Sequence, residues 1–206
     1  MILAGLFAGA LFIGLILGDW LYFVRLTPDA GRYGCGIARS RDRFSTNSLS
    51  RLQAQVDPNG ALMLPHGVAR YYPELQQIAL RPQYHLFSMG FRTAWPLKGM
   101  IHLTCDNQAV EALCIKKIPW SSAIVTMIWF LLVGLGTTAF LVTYGLQGGF
   151  NSLSGVLMGI GILAIGFLVL AFGIVTVIFS YRLENSRLGK VYEELRAVVD
   201  GTAMAT

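Results

Sequence analysis

Two long uncharged stretches flank a middle segment of mixed character. Residues 1–18 contain no charged side chain, and no Asp, Glu, Lys or Arg occurs in residues 118–181. A helix needs about 20 apolar residues to cross the hydrocarbon core of a bilayer. The first stretch therefore predicts one transmembrane helix over residues 1–24, and the second predicts two, over residues 122–146 and 153–180.

The middle segment, residues 25–121, is expected to be a small β domain. It contains all seven prolines of the chain, and proline interrupts helices but is accepted at turns and strand edges. In residues 52–56 apolar side chains alternate with glutamines, which predicts a strand, and residues 57–60 supply a turn before a second strand at 61–64. Further strands are predicted at residues 75–80, 84–91, 99–104 and 112–118. Together these strands predict an antiparallel sandwich or split barrel, preceded by a loop or short helix in residues 31–50.

Strands of this length and spacing, joined directly to membrane helices, resemble those of the bacterial pleckstrin-homology-like (PH-like) membrane proteins. The resemblance covers residues 45–120, and its clearest pieces are residues 62–70 (LMLPHGVAR) and 78–91. It implies a PH-like fold for the β domain. It also implies a binding or assembly module rather than an enzyme.

The end of the chain is predicted to form a cytoplasmic amphipathic helix over residues 183–200. Its apolar residues recur at helical spacing and are Leu188, Val191, Tyr192, Leu195, Val198 and Val199. We expect this stripe to dock on the β domain or to lie at the membrane interface. Insertion into the groove of a partner protein is the alternative.

The basic residues predict the orientation of the chain. All sixteen Lys and Arg residues lie on one side of the three-span arrangement, which the positive-inside rule assigns to the cytoplasm. We therefore expect an integral protein of a bacterial inner membrane, cytoplasmic or intracytoplasmic, with its N-terminus outside and its β domain and C-terminus inside. The first helix lacks the basic start of a signal peptide, so we expect a retained anchor. The cysteines Cys35, Cys105 and Cys114 are expected to be thiols.

Two of the predicted spans each contain several glycines. They are Gly5, Gly9, Gly14 and Gly18 in the first span and Gly155, Gly159, Gly161 and Gly166 in the third. Glycines let helices approach closely in lipid, where apolar contact alone drives little association. We predict that these positions are helix-packing sites. They could contact one another within the chain or contact other subunits.

Two further groups of residues are predicted to face the membrane surface. Asp19, Trp20, Tyr22 and Trp120 are expected to be interfacial anchors, with Asp19 fixing helix depth and pairing with Arg25. The second group, Arg32, Arg39, Arg41 and Arg43, is expected to contact anionic lipid. The alternative is that these arginines merely satisfy the topology rule.

The residues that carry chemistry elsewhere do not form a recognisable pattern here. His66, His85 and His102 lack metal-ligand spacing, although a zinc site with Cys105 or Cys114 assembled in space is an alternative. Known nucleotide-binding and hydrolase motifs are missing from the sequence. We therefore predict no catalytic, cofactor-binding or metal residue, no cofactor and no nucleic-acid partner.

By elimination, we predict a non-catalytic accessory, assembly or stabilising subunit of a larger membrane protein complex. Its expected partners are other membrane protein subunits and membrane lipids. Energy-transducing assemblies such as photosynthetic reaction centres and respiratory complexes recruit small subunits of this kind. One alternative is a membrane-tethered PH-like module that binds lipid or peptide, and a second is a membrane enzyme that uses cytoplasmic Cys or His.

Overall fold

The computed structural model describes residues 2–45, 47–83, 93, 95–105 and 110–201. The chain divides into two compact units, each described here by itself. The sheet unit comprises Met1–Ser122 together with Arg182–Thr206, and the hairpin unit comprises Ala123–Tyr181.

Six antiparallel strands form one sheet in the sheet unit. The strands are β1 (Cys35–Phe44), β2 (Ala61–Leu64), β3 (Gly67–Tyr72), β4 (Gln77–Pro82), β5 (Lys98–Cys105) and β6 (Val110–Ile118). Their order across the sheet is β1-β6-β5-β4-β3-β2, so β2 to β6 follow one another as a meander and β1 pairs with the last strand. The predicted antiparallel β domain is confirmed at this level.

The helices are α1 (Ile2–Val24), α2 (Pro28–Arg32), α3 (Asn47–Gln55), α4 (Trp120–Leu146) and α5 (Leu153–Asp200). Helices α1, α4 and α5 are each long and apolar enough to cross a membrane, as the sequence predicted. The predicted third span and the predicted amphipathic tail are one continuous helix, because no proline or turn separates them.

Two local predictions were wrong. Residues 52–56 were predicted as a strand but belong to α3 or follow it, because the spacing of Leu49, Leu52 and Val56 also fits one helix face and Leu52 is buried there. The predicted loop at residues 31–50 contains the ten-residue strand β1, which is stabilised by pairing with β6 rather than by local propensity.

The other strand predictions agree with the structure where they can be compared. Strands β2, β5 and β6 lie at the predicted places. Strand β4 begins two residues later than predicted because Pro73–Leu75 forms a 3-10 turn, which ends at Gln76 in the left-handed region with φ of 49°. The strand predicted at residues 84–91 lies outside the described residues.

The last turns of α5 cover one face of the sheet. The apolar stripe of α5, with Leu188, Val191, Leu195 and Val199 all at most 2% exposed, packs on one face. The approach is close at Gly67, where an added Cβ would lie 2.5 Å from the Arg81 carbonyl and 2.6 Å from the Val191 side chain. The predicted docking of this segment on the β domain is therefore confirmed.

The hairpin unit contains the remaining parts of α4 and α5. The predicted turn between the last two spans is present, with Gly148 at a φ of 77° and a 3-10 turn at Gly149–Asn151. The helices approach where α5 carries glycine. A Cβ added to Gly166 would lie 2.7 Å from Thr137, and one added to Gly159 would collide with the ring of Phe150.

Candidate functional site

One basic residue on each of four neighbouring strands points to the same face of the sheet. They are Arg70 on β3, Arg81 on β4, Lys98 on β5 and Lys117 on β6. Lys98 and Lys117 are direct cross-strand partners. Like charges opposite one another destabilise a sheet, so this arrangement requires compensating acceptors.

Lys98 is the centre of this cluster and is only 1% exposed. Its Nζ donates a 2.9 Å hydrogen bond to the carbonyl of Phe23 and a second one to the carbonyl of Ala30, and it lies 4.4 Å from the centre of the Phe23 ring. Burial, and then the charges of Lys117 and Arg81, lower the pKa of Lys98 to about 8. Main-chain carbonyls and an aromatic face therefore stabilise this buried ammonium group.

The other three cations also bind main-chain carbonyls. Arg81 Nη1 donates to the carbonyl of Val24 at 2.7 Å, and Arg70 Nη1 donates to that of Leu26 at 3.0 Å. Lys117 Nζ donates to the carbonyls of Gly31 and Arg32 at 3.1 and 2.8 Å.

These acceptors lie at or just beyond the C-terminal ends of α1 and α2. The last carbonyls of a helix have no partner within it, and the helix dipole makes this end favourable for cations. We call the four basic side chains and the carbonyls they bind the carbonyl cage. The cage fixes the end of the first candidate transmembrane helix to the sheet.

Asp19 connects the same end of α1 to the start of α4. One carboxylate oxygen accepts a 2.9 Å hydrogen bond from the backbone N–H of Ser121, and the other accepts one from the hydroxyl of Tyr33. The bond to Asp19, followed by burial, raises the pKa of Tyr33 to about 12. A carboxylate at a helix N-terminus satisfies an unpaired N–H and favours the helix dipole, so Asp19 caps α4.

The other predicted anchors lie around this cap. Trp20 Nε1 donates to the hydroxyl of Ser122 at 3.3 Å, Tyr22 makes an edge-to-face contact with the ring of Tyr33, and Trp120 begins α4 with its side chain 45% exposed. The expected pair of Asp19 with Arg25 is not among the ion pairs of the described residues.

The predicted lipid-contacting arginines are exposed. Arg39, Arg41 and Arg43 alternate along the edge strand β1, and their partners on β6 place them on the same sheet face as Lys117. Arg32 lies in α2. Arg43 forms a 3.6 Å ion pair with Glu111, in which both side chains are more than half exposed. The spacing of two residues thus brings three of the four arginines together on one face.

Polar contacts also fix the last turns of α5 to the sheet unit. Tyr192 donates a 3.0 Å hydrogen bond to Asp42, and Arg196 forms a 3.2 Å ion pair with the same carboxylate. Burial and the bond to Asp42 raise the pKa of Tyr192. His66 also pairs with the carboxylate of Glu194 on α5, so this histidine has a structural role.

The remaining histidine and cysteine positions are separate. His102 contacts Gln77, and burial is the main cause of its lowered pKa. Burial also raises the pKa of Cys114. His85 and the side chain of Cys105 lie outside the described residues. Among the residues that are described, no three His, Cys, Asp or Glu side chains are grouped as metal ligands.

The predicted helix-packing glycines fall into two groups. Gly155, Gly159 and Gly166 face side chains or backbone of the hairpin unit, whereas Gly161 faces open space within it. Around Gly5, Gly9, Gly14 and Gly18 of α1, an added Cβ would meet no heavy atom of the sheet unit within 4 Å.

The sequence analysis missed the carbonyl cage and the cap formed by Asp19. One signal was available: Lys98 directly precedes the apolar residues of one predicted strand and Lys117 lies near the end of another, where an unpaired buried lysine would be costly. Their hydrogen-bond acceptors could not be predicted from the sequence, because every residue type has the same main-chain carbonyl group.

No protein-family model matches this chain, and neither a curated protein nor a solved structure matches it.

Proposed function

We propose that this chain is a non-catalytic accessory or assembly subunit of a larger membrane protein complex. The observation that carries the proposal is the bare glycine surface of α1 in the sheet unit. In lipid, a helix gains by packing such small residues against another helix. Within the sheet unit, polar contacts hold α1 at its C-terminal end and leave its glycines uncovered, which supports a role in contacting other membrane subunits.

The geometry of α1 sharpens this argument. Gly5 and Gly9 form a first pair, and Gly14 and Gly18 form a second pair nine residues further along. At about 100° per residue, that separation places the two pairs on opposite sides of the helix. One neighbouring helix cannot cover both pairs, so we infer that α1 lies between two helices in the complex.

The proposed placement is a bacterial inner membrane, with the N-terminus outside and the sheet unit cytoplasmic. The distribution of basic residues supports this orientation, because all sixteen lie on the side of the sheet unit.

The test is purification of the tagged full-length chain in mild detergent from its own membranes. We expect it to co-purify with defined membrane subunits. The substitutions Gly9→Leu and Gly14→Leu should each reduce the recovered partner at least about tenfold, because close helix contact is lost. Leu15→Phe is the matched control, since Leu15 lies between the two glycine surfaces. A wild-type chain that purifies alone as a monomer would refute the proposal.

The second candidate function is a membrane-tethered PH-like module that binds lipid or peptide. The row formed by Arg39, Arg41 and Arg43 on the exposed edge strand favours it. Full-length chain in nanodiscs would show tighter attachment of the sheet unit to anionic than to neutral bilayers. Equal hydrogen-exchange protection of β1 on both bilayers would exclude this function.

A further inference from the structure

The two edges of the six-stranded sheet differ in length and in charge. Strand β2 at one edge has four residues and is followed by Pro65, whereas β1 at the other edge has ten residues and no proline. Among the residues that the structure describes, β1 pairs only with β6, so its outer side is unpaired. We call this outer side the β1 edge. Unpaired N–H and C=O groups along such an edge attract a further strand.

Alternate residues of β1 direct their main-chain groups away from β6. In an antiparallel pair, the N–H and C=O of one residue point to the partner strand and those of the next residue point away. The N–H of Arg43 points away, because it donates a 2.8 Å hydrogen bond to the carboxylate of Asp42. By the same alternation, the main-chain groups of Arg39 and Arg41 also point outward. No turn or loop of the described residues bonds to them.

The charge of the β1 edge indicates which strand it would accept. The side chains of Arg39, Arg41 and Arg43 are exposed on one face of the sheet. Asp42 lies on the opposite face, where it bonds to Tyr192 of α5. The arginines repeat every two residues, or about 7 Å, which is the spacing of same-face residues on an added strand. Opposite charges on directly paired residues stabilise a sheet, so acidic residues at every second position would complement this edge.

A second copy of this chain does not complement the β1 edge. Hydrogen-bonded antiparallel pairing places residues with outward main-chain groups opposite one another. Two copies joined by a two-fold axis at this edge would therefore pair arginine with arginine, as in Arg41 with Arg41 or Arg39 with Arg43. Such like-charge pairs destabilise a sheet. The arginines thus oppose self-association and favour a partner of different sequence.

Lipid headgroups match the β1 edge less well than a strand does. Arg39 pairs with Ile115, five residues before Trp120 at the start of α4, and Arg43 pairs with Glu111, nine residues before it. The row of arginines therefore leads along β6 away from the start of this candidate membrane helix. A phosphate also accepts hydrogen bonds only, so it leaves the outward C=O groups of β1 unpaired.

We propose that the β1 edge binds an extended acidic segment of a partner protein as a seventh strand. Asp or Glu residues at every second position of that segment lie opposite Arg39, Arg41 and Arg43. Main-chain hydrogen bonds supply the affinity, and the arginines select the charge. The inference rests on the second candidate function and narrows its ligand from lipid or peptide to an acidic strand. It does not depend on the glycines of α1.

A synthetic peptide in which glutamate alternates with threonine tests the proposal on the full-length chain in neutral phosphatidylcholine nanodiscs. The matched control peptide has the same sequence, with methyl groups on the main-chain nitrogens of its glutamates. It keeps the charge but loses strand hydrogen bonds. By fluorescence anisotropy, we expect the unmodified peptide to bind at least about tenfold more tightly, and it should slow amide exchange in β1. Equal binding of the two peptides would overturn the proposal, because charge attraction alone would then suffice.

A charge reversal tests the role of the arginines. Arg41→Glu should weaken the glutamate peptide at least about tenfold, because an attractive pair becomes repulsive, and it should bind a peptide with lysine in place of glutamate. Lys190→Glu is the control, since it makes the same change of net charge on α5. Both positions are exposed, so both variants should fold. At 0.15 M salt the control should change binding by less than about twofold. Equal weakening by the two variants would overturn the proposal.

Two other outcomes would give the β1 edge a different occupant and so overturn the proposal. Exchange in β1 that slows without peptide, as the number of chains per nanodisc rises, would show that a second copy covers the edge. If neither peptide binds but β1 exchanges more slowly on anionic than on neutral nanodiscs, the arginines contact lipid. The second candidate function would then stand in its lipid form.

Discussion

Helices α1 and α5 both carry glycines four residues apart, but the surroundings of these glycines differ. In the hairpin unit, glycines of α5 pack against side chains such as Thr137 and Trp129 and against the backbone of the turn. In the sheet unit, no described heavy atom lies within 4 Å of a Cβ added to the α1 glycines. Polar groups fix this helix at its C-terminal end.

The difference teaches that one sequence motif can have two physical roles. Where atoms of the same unit pack against a glycine, the close van der Waals contact contributes to the stability of that unit. Where it is bare, we expect its effect on stability to be small, and the proposed function gives it a role in association. Substitutions at both kinds of position should therefore separate folding from assembly.

The largest effect is expected for Gly155→Leu in the hairpin unit. A side chain there would collide with the carbonyl oxygen of Gly149, which is backbone and cannot rotate away. We expect the free energy of unfolding in mixed micelles to fall by about 3 kcal/mol. Gly9→Leu is the matched variant in α1 and should change it by less than about 0.5 kcal/mol. Similar losses in both variants would abolish the distinction between the two helices.

The next effect is expected for Lys98→Met in the carbonyl cage. The variant removes the donor to two buried carbonyls but also removes the cost of burying a charge. We expect the free energy of unfolding of the sheet unit to fall by about 2 kcal/mol, measured by denaturing the full chain. An unchanged value would show that the end of α1 is not held by the cage.

Lys98 also predicts a dependence of stability on pH. Its folded pKa of about 8 lies below the ordinary value of 10.5, so between these values the folded protein binds fewer protons than the unfolded one. The free energy of unfolding should therefore rise with pH across this window, by at most on the order of 3 kcal/mol. The raised pKa values of Tyr33 and Cys114 act in the opposite direction at high pH. The measurement is therefore the difference between wild type and Lys98→Met, which should grow from pH 8 to pH 10.5.

A smaller effect is expected for Asp19→Asn. The amide keeps one acceptor oxygen but loses the charge that favours the N-terminus of α4, which should cost about 1 kcal/mol. The pKa of Tyr33 should fall towards 10 in the variant, because its largest shift comes from Asp19. Ultraviolet titration of the tyrosines checks this. Glu74→Gln, an exposed carboxylate, is the control and should leave the titration unchanged.

The smallest effect is expected for Arg43→Gln. Its partner Glu111 and Arg43 itself are mostly exposed, and such pairs contribute about 0–1 kcal/mol. We expect no change in stability at 0.15 M salt. A large loss would contradict the exposed, weakly stabilising character of this ion pair.

The sequence predicted the elements whose signal is local. Uncharged runs predicted the three long helices, and the short run of mostly apolar residues at 112–118 predicted β6. Strand β1 was missed because its stability comes from pairing with residues some 70 positions away. Residues 52–56 were misassigned because five residues with period 2 also fit one face of a helix.

The candidate site was harder to predict for a related reason. Lys98 and Asp19 act on backbone groups, and any residue type presents the same carbonyl and N–H. Only the three-dimensional placement of α1 against the sheet gives these side chains their partners. The arginines of β1, in contrast, were singled out because the expected contact with lipid depends on residue type and closeness to the membrane alone, and that contact stays a prediction.

The carbonyl cage has a consequence for how the protein is made. All four of its basic residues follow α1 in the chain, and the last of them, Lys117, lies 93 residues beyond Val24. At translation rates of about 5–20 residues per second, α1 leaves the ribosome roughly 5–20 s before its end can be fully bound. During that interval the cage does not yet hold the end of α1, so the proposed helix partners would meet α1 before the sheet fixes its rotation.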